Sequence, residues 1–187
     1  EPGEVFANTL APTNQNYHAA YQDWRDFAAK HTLPVHFSIA ETSDWSFPEI
    51  MGAASAILTT SIAEGFGMGF LEPWLFGKAI IGRDLPAITA DFKAEGLQLD
   101  DLYSSLAVPA DWIDTERLKQ SIQAELETAY AAYQATLPTD ATARALAAIQ
   151  SPQGIDFGAL NESLQKDVLT YVIQNKQARD QLKEQLH

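Results

Sequence analysis

Apolar positions in the first hundred residues follow two alternating rhythms. Short β-favouring runs at 5–10, 35–39, 56–60 and 79–82 are separated by stretches with apolar side chains at three- and four-residue spacing. Tyr17, Ala20, Tyr21, Trp24, Phe27 and Ala28 define one face of a helix over about residues 16–30. Ser46-Phe-Pro-Glu49 reads as a capping box with proline in the first turn, predicting a short helix through Ile50 to Ala54. A helix over 67–76 should end at Gly77. A further helix at 91–95, stopped by Gly96, and a weaker strand at 105–108 complete the alternation. Strands and helices in this order predict an α/β fold, a parallel sheet with helices on both faces.

From Asp114 the rhythm becomes helical only. Asp114 or Thr115 can cap a helix with Leu118, Ile122, Leu126, Ala129 and Tyr133 on its inner face, and an Ala-rich helix spans about 140–149. Ser151-Pro-Gln-Gly154 reads as a linker. A last helix over about 159–186, roughly 40 Å long at 1.5 Å per residue, carries a stripe of Leu160, Leu164, Val168, Val172 and Ile173. The expected organisation is a sheet domain over 1–136 and a helical C-terminal extension over 137–187.

Composition narrows the partners. Of 187 residues, 46% are apolar and 20% charged, the balance of a chain that folds on its own core. Twelve Lys plus Arg against 25 Asp plus Glu leave a net charge of −13, a poor match for nucleic acid or an anionic membrane. There is no cysteine, which removes disulfides, thiolate metal sites and cysteine nucleophiles. No apolar run approaches the ~20 residues that span a bilayer. The expectation is a soluble, cytoplasmic protein. Residues 159–187 balance four acidic groups against four basic ones, so the whole excess of acid precedes them, and before Ala90 the basic side chains are Arg25, Lys30, Lys78 and Arg83.

The segment Glu64-Gly-Phe-Gly-Met-Gly-Phe-Leu-Glu72 follows an expected buried strand and opens a helix, at the sheet end where ligands of open α/β folds bind. Gly65, Gly67 and Gly69 permit close backbone approach, and first-turn N–H groups favour an anion. Glu64 and Glu72, slightly over two helical turns apart, can address one crevice, and carboxylates suit vicinal sugar hydroxyls. Amides for phosphate and acids for hydroxyls together suggest a nucleotide sugar. Arg83, just after a strand, could reach a phosphate or pair with Asp84. His18, His31 and His36 lack metal spacing. The tryptophans read as core or rim, Asp156-Phe-Gly158 matches a kinase metal motif in letters only, and Asn161-Glu-Ser163 is a glycosylation sequon inside an expected helix.

Thr59-Thr-Ser-Ile-Ala-Glu-Gly-Phe-Gly-Met-Gly-Phe-Leu-Glu-Pro-Trp-Leu-Phe-Gly-Lys-Ala-Ile-Ile81 resembles the donor-binding signature of retaining GT-B glycosyltransferases, two glutamates separated by seven residues within S-x-x-E-G-F-G-L-P-x-L-E-A-M-A-x-G-K-P-V-I. The resemblance, extended by strand–helix context over about residues 4–135, implies the Rossmann-like carboxyl-terminal half of such an enzyme. Glu72 would hold the ribose hydroxyls of a UDP-, GDP- or ADP-sugar, and the catalytic Glu64 would lie against the transferred hexose. The backbone of Phe66, Gly67, Met68 and Gly69 would face sugar and diphosphate, without a metal and with no cofactor beyond the donor. Gly69 stands where the family often has Pro, Pro73 and Trp74 replace Ala and Met, and Ala79 replaces Pro.

The family's diphosphate clamp, an Arg and a Lys after the domain's first strand, has no counterpart here, so the resemblance implies a partial domain without that strand and without the amino-terminal acceptor domain. In the order 3-2-1-4-5-6 the absent strand is central, which leads to an expected homo-oligomer or rearranged sheet. The isolated chain should be inactive. The alternative is a binding or assembly module of the same fold that transfers no sugar, using its long terminal helix to dock on a partner.

Overall fold

The computed structural model describes residues 3–63 and 67–185. The chain divides into two compact units, Glu1–Ser104 and Ser105–His187.

The first unit is α/β with parallel sheets. Its elements are β1 (Phe6–Ala7), α1 (His18–Lys30), β2 (Val35–His36), α2 (Ile39–Thr42), α3 (Phe47–Ala53), β3 (Ala56–Thr59), α4 (Met68–Leu75), β4 (Ala79–Arg83), α5 (Pro86–Ala94) and β5 (Leu102–Tyr103). β1 and β2 pair in parallel, and β3, β4 and β5 form a second parallel sheet in that order. Among the described residues no ladder joins the two sheets. Several apolar side chains of these strands stand exposed, among them Phe6, Leu58 and Ile81. The core of the three-stranded half is Phe70, Ile80 and Leu99, with Trp74, Leu85, Ile88, Phe92 and Leu102 against it. Phe70, wholly buried, contributes roughly 1.5–3 kcal/mol by its removal from water.

Local chemistry explains the element ends. The Glu49 carboxylate accepts hydrogen bonds from the Ser46 N–H at 2.7 Å and its hydroxyl at 2.6 Å, which closes the expected capping box on α3 and holds the Glu49 carboxyl below its usual range. α4 stops where Gly77 donates to the Trp74 carbonyl and Lys78 to that of Pro73, each at 3.0 Å. Lys78 also extends its ammonium to the Gly52 carbonyl, 2.8 Å away in the last turn of α3.

Three features differ from the sequence reading in this unit. The strand expected over 35–39 is limited to Val35–His36, because Ser38 takes a left-handed backbone at φ of +54° and Ile39 opens α2. α5 begins at Pro86, five residues before the expected Asp91, because proline with its fixed φ starts the helix directly after β4. Residues 102–103 form β5, a strand too short to show a period.

The second unit contains β6 (Ala107–Val108), α6 (Thr115–Ala132), α7 (Ala141–Ile149), β7 (Gln150–Ser151), β8 (Gly154–Asp156), α8 (Glu162–Gln174) and α9 (Lys176–Gln185). Here α6, grouped with the sheet domain by the sequence pattern, belongs to the later unit. Its core is Val108, Ile113, Leu118, Ile155, Leu160, Leu164 and Val168. Asp114 caps α6 by accepting the Arg117 N–H at 3.0 Å. Arg117 in turn reaches the Asp167 carboxylate at 2.6 Å and the Ser163 hydroxyl at 2.8 Å, tying α6 to α8.

Three expectations are corrected in this unit. Ser151-Pro-Gln-Gly154 is the turn of a hairpin, not a linker: β8 pairs antiparallel with both β7 and β6, so the strand near 105–108 belongs to an antiparallel sheet. The terminal helix is two helices, since Asn175 takes an extended backbone and its side chain accepts the N–H groups of Gln177 and Ala178, capping α9. Tyr133, placed on the inner face of α6, is 86% exposed, because the helix has already ended at Ala132.

Gly154 has a φ of +140°, and a Cβ there would overlap the Val108 carbonyl. Gly154→Ala should therefore destabilise the chain by about 2 kcal/mol or more in a denaturant titration, and an unchanged midpoint would contradict this packing.

Candidate functional site

The candidate site lies at the carboxyl end of the β3-β4-β5 sheet, where the chain leaves β3 for α4 and leaves β4 for α5. Of the residues singled out from the sequence, Glu64 and Phe66 lie outside the described residues, as does Gly65. Gly67, Met68, Gly69 and Glu72 are carried by α4 and its cap, and Arg83 is the last residue of β4.

Gly67 is the N-cap of α4, buried, with a φ of +68°. A Cβ at this position would overlap the Cγ2 of Ile88 in the first turn of α5. Glycine is thus needed twice, for the left-handed backbone and for the close approach of the two helix starts. The cap offers no side chain to the exposed amides. The Gly67 carbonyl accepts the Phe70 N–H at 2.9 Å, and the Met68 and Gly69 N–H groups have no hydrogen-bond partner among the described residues. Two donors at a helix start, where the dipole is positive, can accept an anion.

Glu72 stands one turn further along α4, half-buried, and its carboxylate makes no hydrogen bond or ion pair among the described residues. The helix holds that position firmly. Phe70 and Pro73 on either side are buried, and Trp74 packs edge-on against Phe92 of α5 at 6.3 Å between ring centroids. Trp74 is therefore a core residue of this half. Met68, by contrast, is 53% exposed, so its side chain rims the start of α4.

The β4–α5 junction separates two charges that are adjacent in sequence. The Asp84 carboxylate accepts the Lys93 ammonium at 2.5 Å and the hydroxyl of fully buried Thr89, while its N–H donates to the Tyr103 carbonyl at 2.8 Å. The Lys93 hydrogen bond, followed by that from Thr89, holds the Asp84 carboxyl below its usual range. Arg83 takes another course. Its guanidinium carbon lies 5.9 Å from the centre of the Tyr103 ring, and Nη1 donates to the Ser104 carbonyl at 3.4 Å. Lys93, Thr89, Ile88 and Tyr103 escape a sequence reading, because their roles depend on a helix start and a two-residue strand that have no period.

The other residues weighed in the sequence have structural roles. Lys78 ties α4 to α3, and Asn161 caps α8 through the Leu164 N–H at 3.0 Å while donating to the Ser121 hydroxyl at 2.7 Å. Asp156 accepts the Gly158 N–H at 3.3 Å, closing a local turn. His18 Nε2 contacts the Pro12 carbonyl at 2.7 Å, and His31 packs on Phe27 at 4.5 Å between centroids. No group of three or more potential metal ligands occurs among the described residues, and none of their helices is long and apolar enough to cross a membrane. In comparison with known proteins, no family model matches the chain, and no curated protein or solved structure matches it either.

The Asp84 contacts predict a pH dependence. A carboxyl depressed in the folded state stabilises it fully above the ordinary carboxylate range, and that stabilisation is lost as pH falls through the depressed value. Asp84→Asn should cost about 1 kcal/mol at pH 7, modest because solvent screens the Lys93 end, and should flatten the fall in melting temperature below about pH 4. A variant whose acid limb superimposes on that of the parent chain would contradict this.

Proposed function

We propose that the first unit binds a nucleoside-diphosphate sugar as the donor-binding part of a retaining glycosyltransferase. The observation that carries this reading is the pairing on α4 of two amides, at Met68 and Gly69, with the Glu72 carboxylate one turn on, all three without a hydrogen-bond partner among the described residues. An anion at the helix start and a diol beside the carboxylate are the two ends of a nucleoside diphosphate. Strand order supports the same reading, since β1-β2 and β3-β4-β5 correspond to the flanks of a Rossmann-like sheet whose central strand is not among the described residues.

In this reading Glu72 accepts two hydrogen bonds from the ribose hydroxyls, and the Met68 and Gly69 amides bind the diphosphate. The amides matter most when the diphosphate departs, because donors already aimed at the leaving group need no reorganisation as its charge grows. Arg83 adds a positive charge on the neighbouring strand. Glu64, in the motif directly before the helix, would meet the sugar as positive charge develops at its anomeric carbon. The resemblance of residues 59–81 to the family signature supports these roles and a hexose as the group transferred.

Calorimetric titration of the chain with UDP, GDP and ADP tests the site. One of the three should bind, and Glu72→Gln should weaken it about tenfold or more, the loss expected for hydrogen bonds to a charged acceptor. Absence of binding by all three at millimolar concentration, or affinity indifferent to Glu72→Gln, would overturn the reading.

A further inference from the structure

The space where Gly67 lacks a side chain is filled from α5. The Cγ2 methyl of Ile88 stands where a Cβ of Gly67 would be, with Ile88 Cβ 3.6 Å and Phe70 Cδ2 3.8 Å from that position. Gly67 is buried, is the N-cap of α4 and has a φ of +68°. A glycine without such a neighbour passes readily between left- and right-handed backbone. Its carbonyl accepts the Phe70 N–H at 2.9 Å, the first hydrogen bond of the helix, so a change at Gly67 would also turn the amides of Met68 and Gly69.

Two things fix the direction of the Ile88 methyl. Branching at Cβ leaves isoleucine one strongly preferred χ1 well in a helix, so Cγ2 points where the backbone of α5 sends it. That backbone is anchored in its first turn. The Ile88 N–H donates to the Leu85 carbonyl at 2.8 Å, and the hydroxyl of fully buried Thr89 reaches the same carbonyl at 3.1 Å as well as the Asp84 carboxylate. Asp84 is held in turn by Lys93 and, through its own N–H, by the Tyr103 carbonyl of β5. The start of α5 is thereby tied to the ends of β4 and β5, and Ile88 carries that order to Gly67.

We propose that Ile88 is the positioning residue for the start of α4: its Cγ2 methyl holds Gly67 in the left-handed conformation and so keeps the Met68 and Gly69 amides aimed before an anion arrives. This rests on the anion-binding reading of that helix start given above. Ile88 touches no ligand, and its share of the affinity is the ordering that the anion need not perform. What matters is the branch at Cβ, not the volume of the side chain.

Calorimetric titration of the full chain with inorganic pyrophosphate, and with whichever of UDP, GDP and ADP binds, tests this in three variants. Ile88→Leu and Ile88→Met, unbranched at Cβ, should each weaken binding about three- to tenfold, the scale of ordering one backbone position. Ile88→Val keeps both γ carbons and should stay within about twofold of the parent chain. Burial alone predicts the opposite order, because valine deletes a buried group while leucine and methionine conserve volume. Without ligand, the Phe70 N–H should exchange with solvent faster in the leucine and methionine variants than in the valine variant. A valine variant as weak as leucine, unbranched variants with parental affinity, or Phe70 exchange equal in all three would overturn the positioning role. If that happens while Glu72→Gln still weakens nucleotide binding, the nucleotide site stands and only this inference falls. A parent chain that binds neither pyrophosphate nor any nucleotide overturns both.

Discussion

The contact between Gly67 and Ile88 is the constraint on which the candidate site depends. It requires a residue without a Cβ and a backbone with φ of +68°, and it brings the starts of α4 and α5 together at one end of a three-stranded parallel sheet. Glycine as cap supplies no side-chain oxygen of its own to the first amides of α4, and the Met68 and Gly69 donors have no partner among the described residues. The buried neighbours Phe70 and Pro73 then fix the phase of the helix, and with it the position of Glu72.

Charge is the second constraint. A chain with a net charge of −13 repels anionic ligands at long range, and local cations must offset that. The fold uses Lys93 to neutralise Asp84 and Lys78 to complete α3, and sets Arg83 over the ring of Tyr103.

The parts of this arrangement that were legible in the sequence are those with a local chemical signal. The Ser46–Glu49 box, the stop at Gly77, the Asp114 cap and the alternation through β4 all depend on contacts within a few residues. The features that escaped depend on partners distant in the chain. β5 is two residues long and exists because β4 pairs with it, and β8 is a strand because β6 and β7 flank it, although Pro152 and Gly154 read locally as a linker. Asn175 looks like one more polar residue on a helix surface, yet its side chain caps a new helix. At the site the glycines and Glu72 were legible as a motif, whereas Ile88, Lys93 and Tyr103 gain their roles only once the strands are paired.

The central claim is that the start of α4 receives a phosphate while Glu72 receives the sugar hydroxyls next to it. The most direct measurement is the backbone amide spectrum of the isotope-labelled chain during titration with the tightest-binding nucleotide. The account predicts the largest downfield shifts at the amides of Met68 and Gly69, smaller ones around Glu72 and Arg83, and loss of the Glu72 response when inorganic pyrophosphate replaces the nucleotide. Shifts confined to the second unit, or spread over the first without a maximum at Met68 and Gly69, would contradict it.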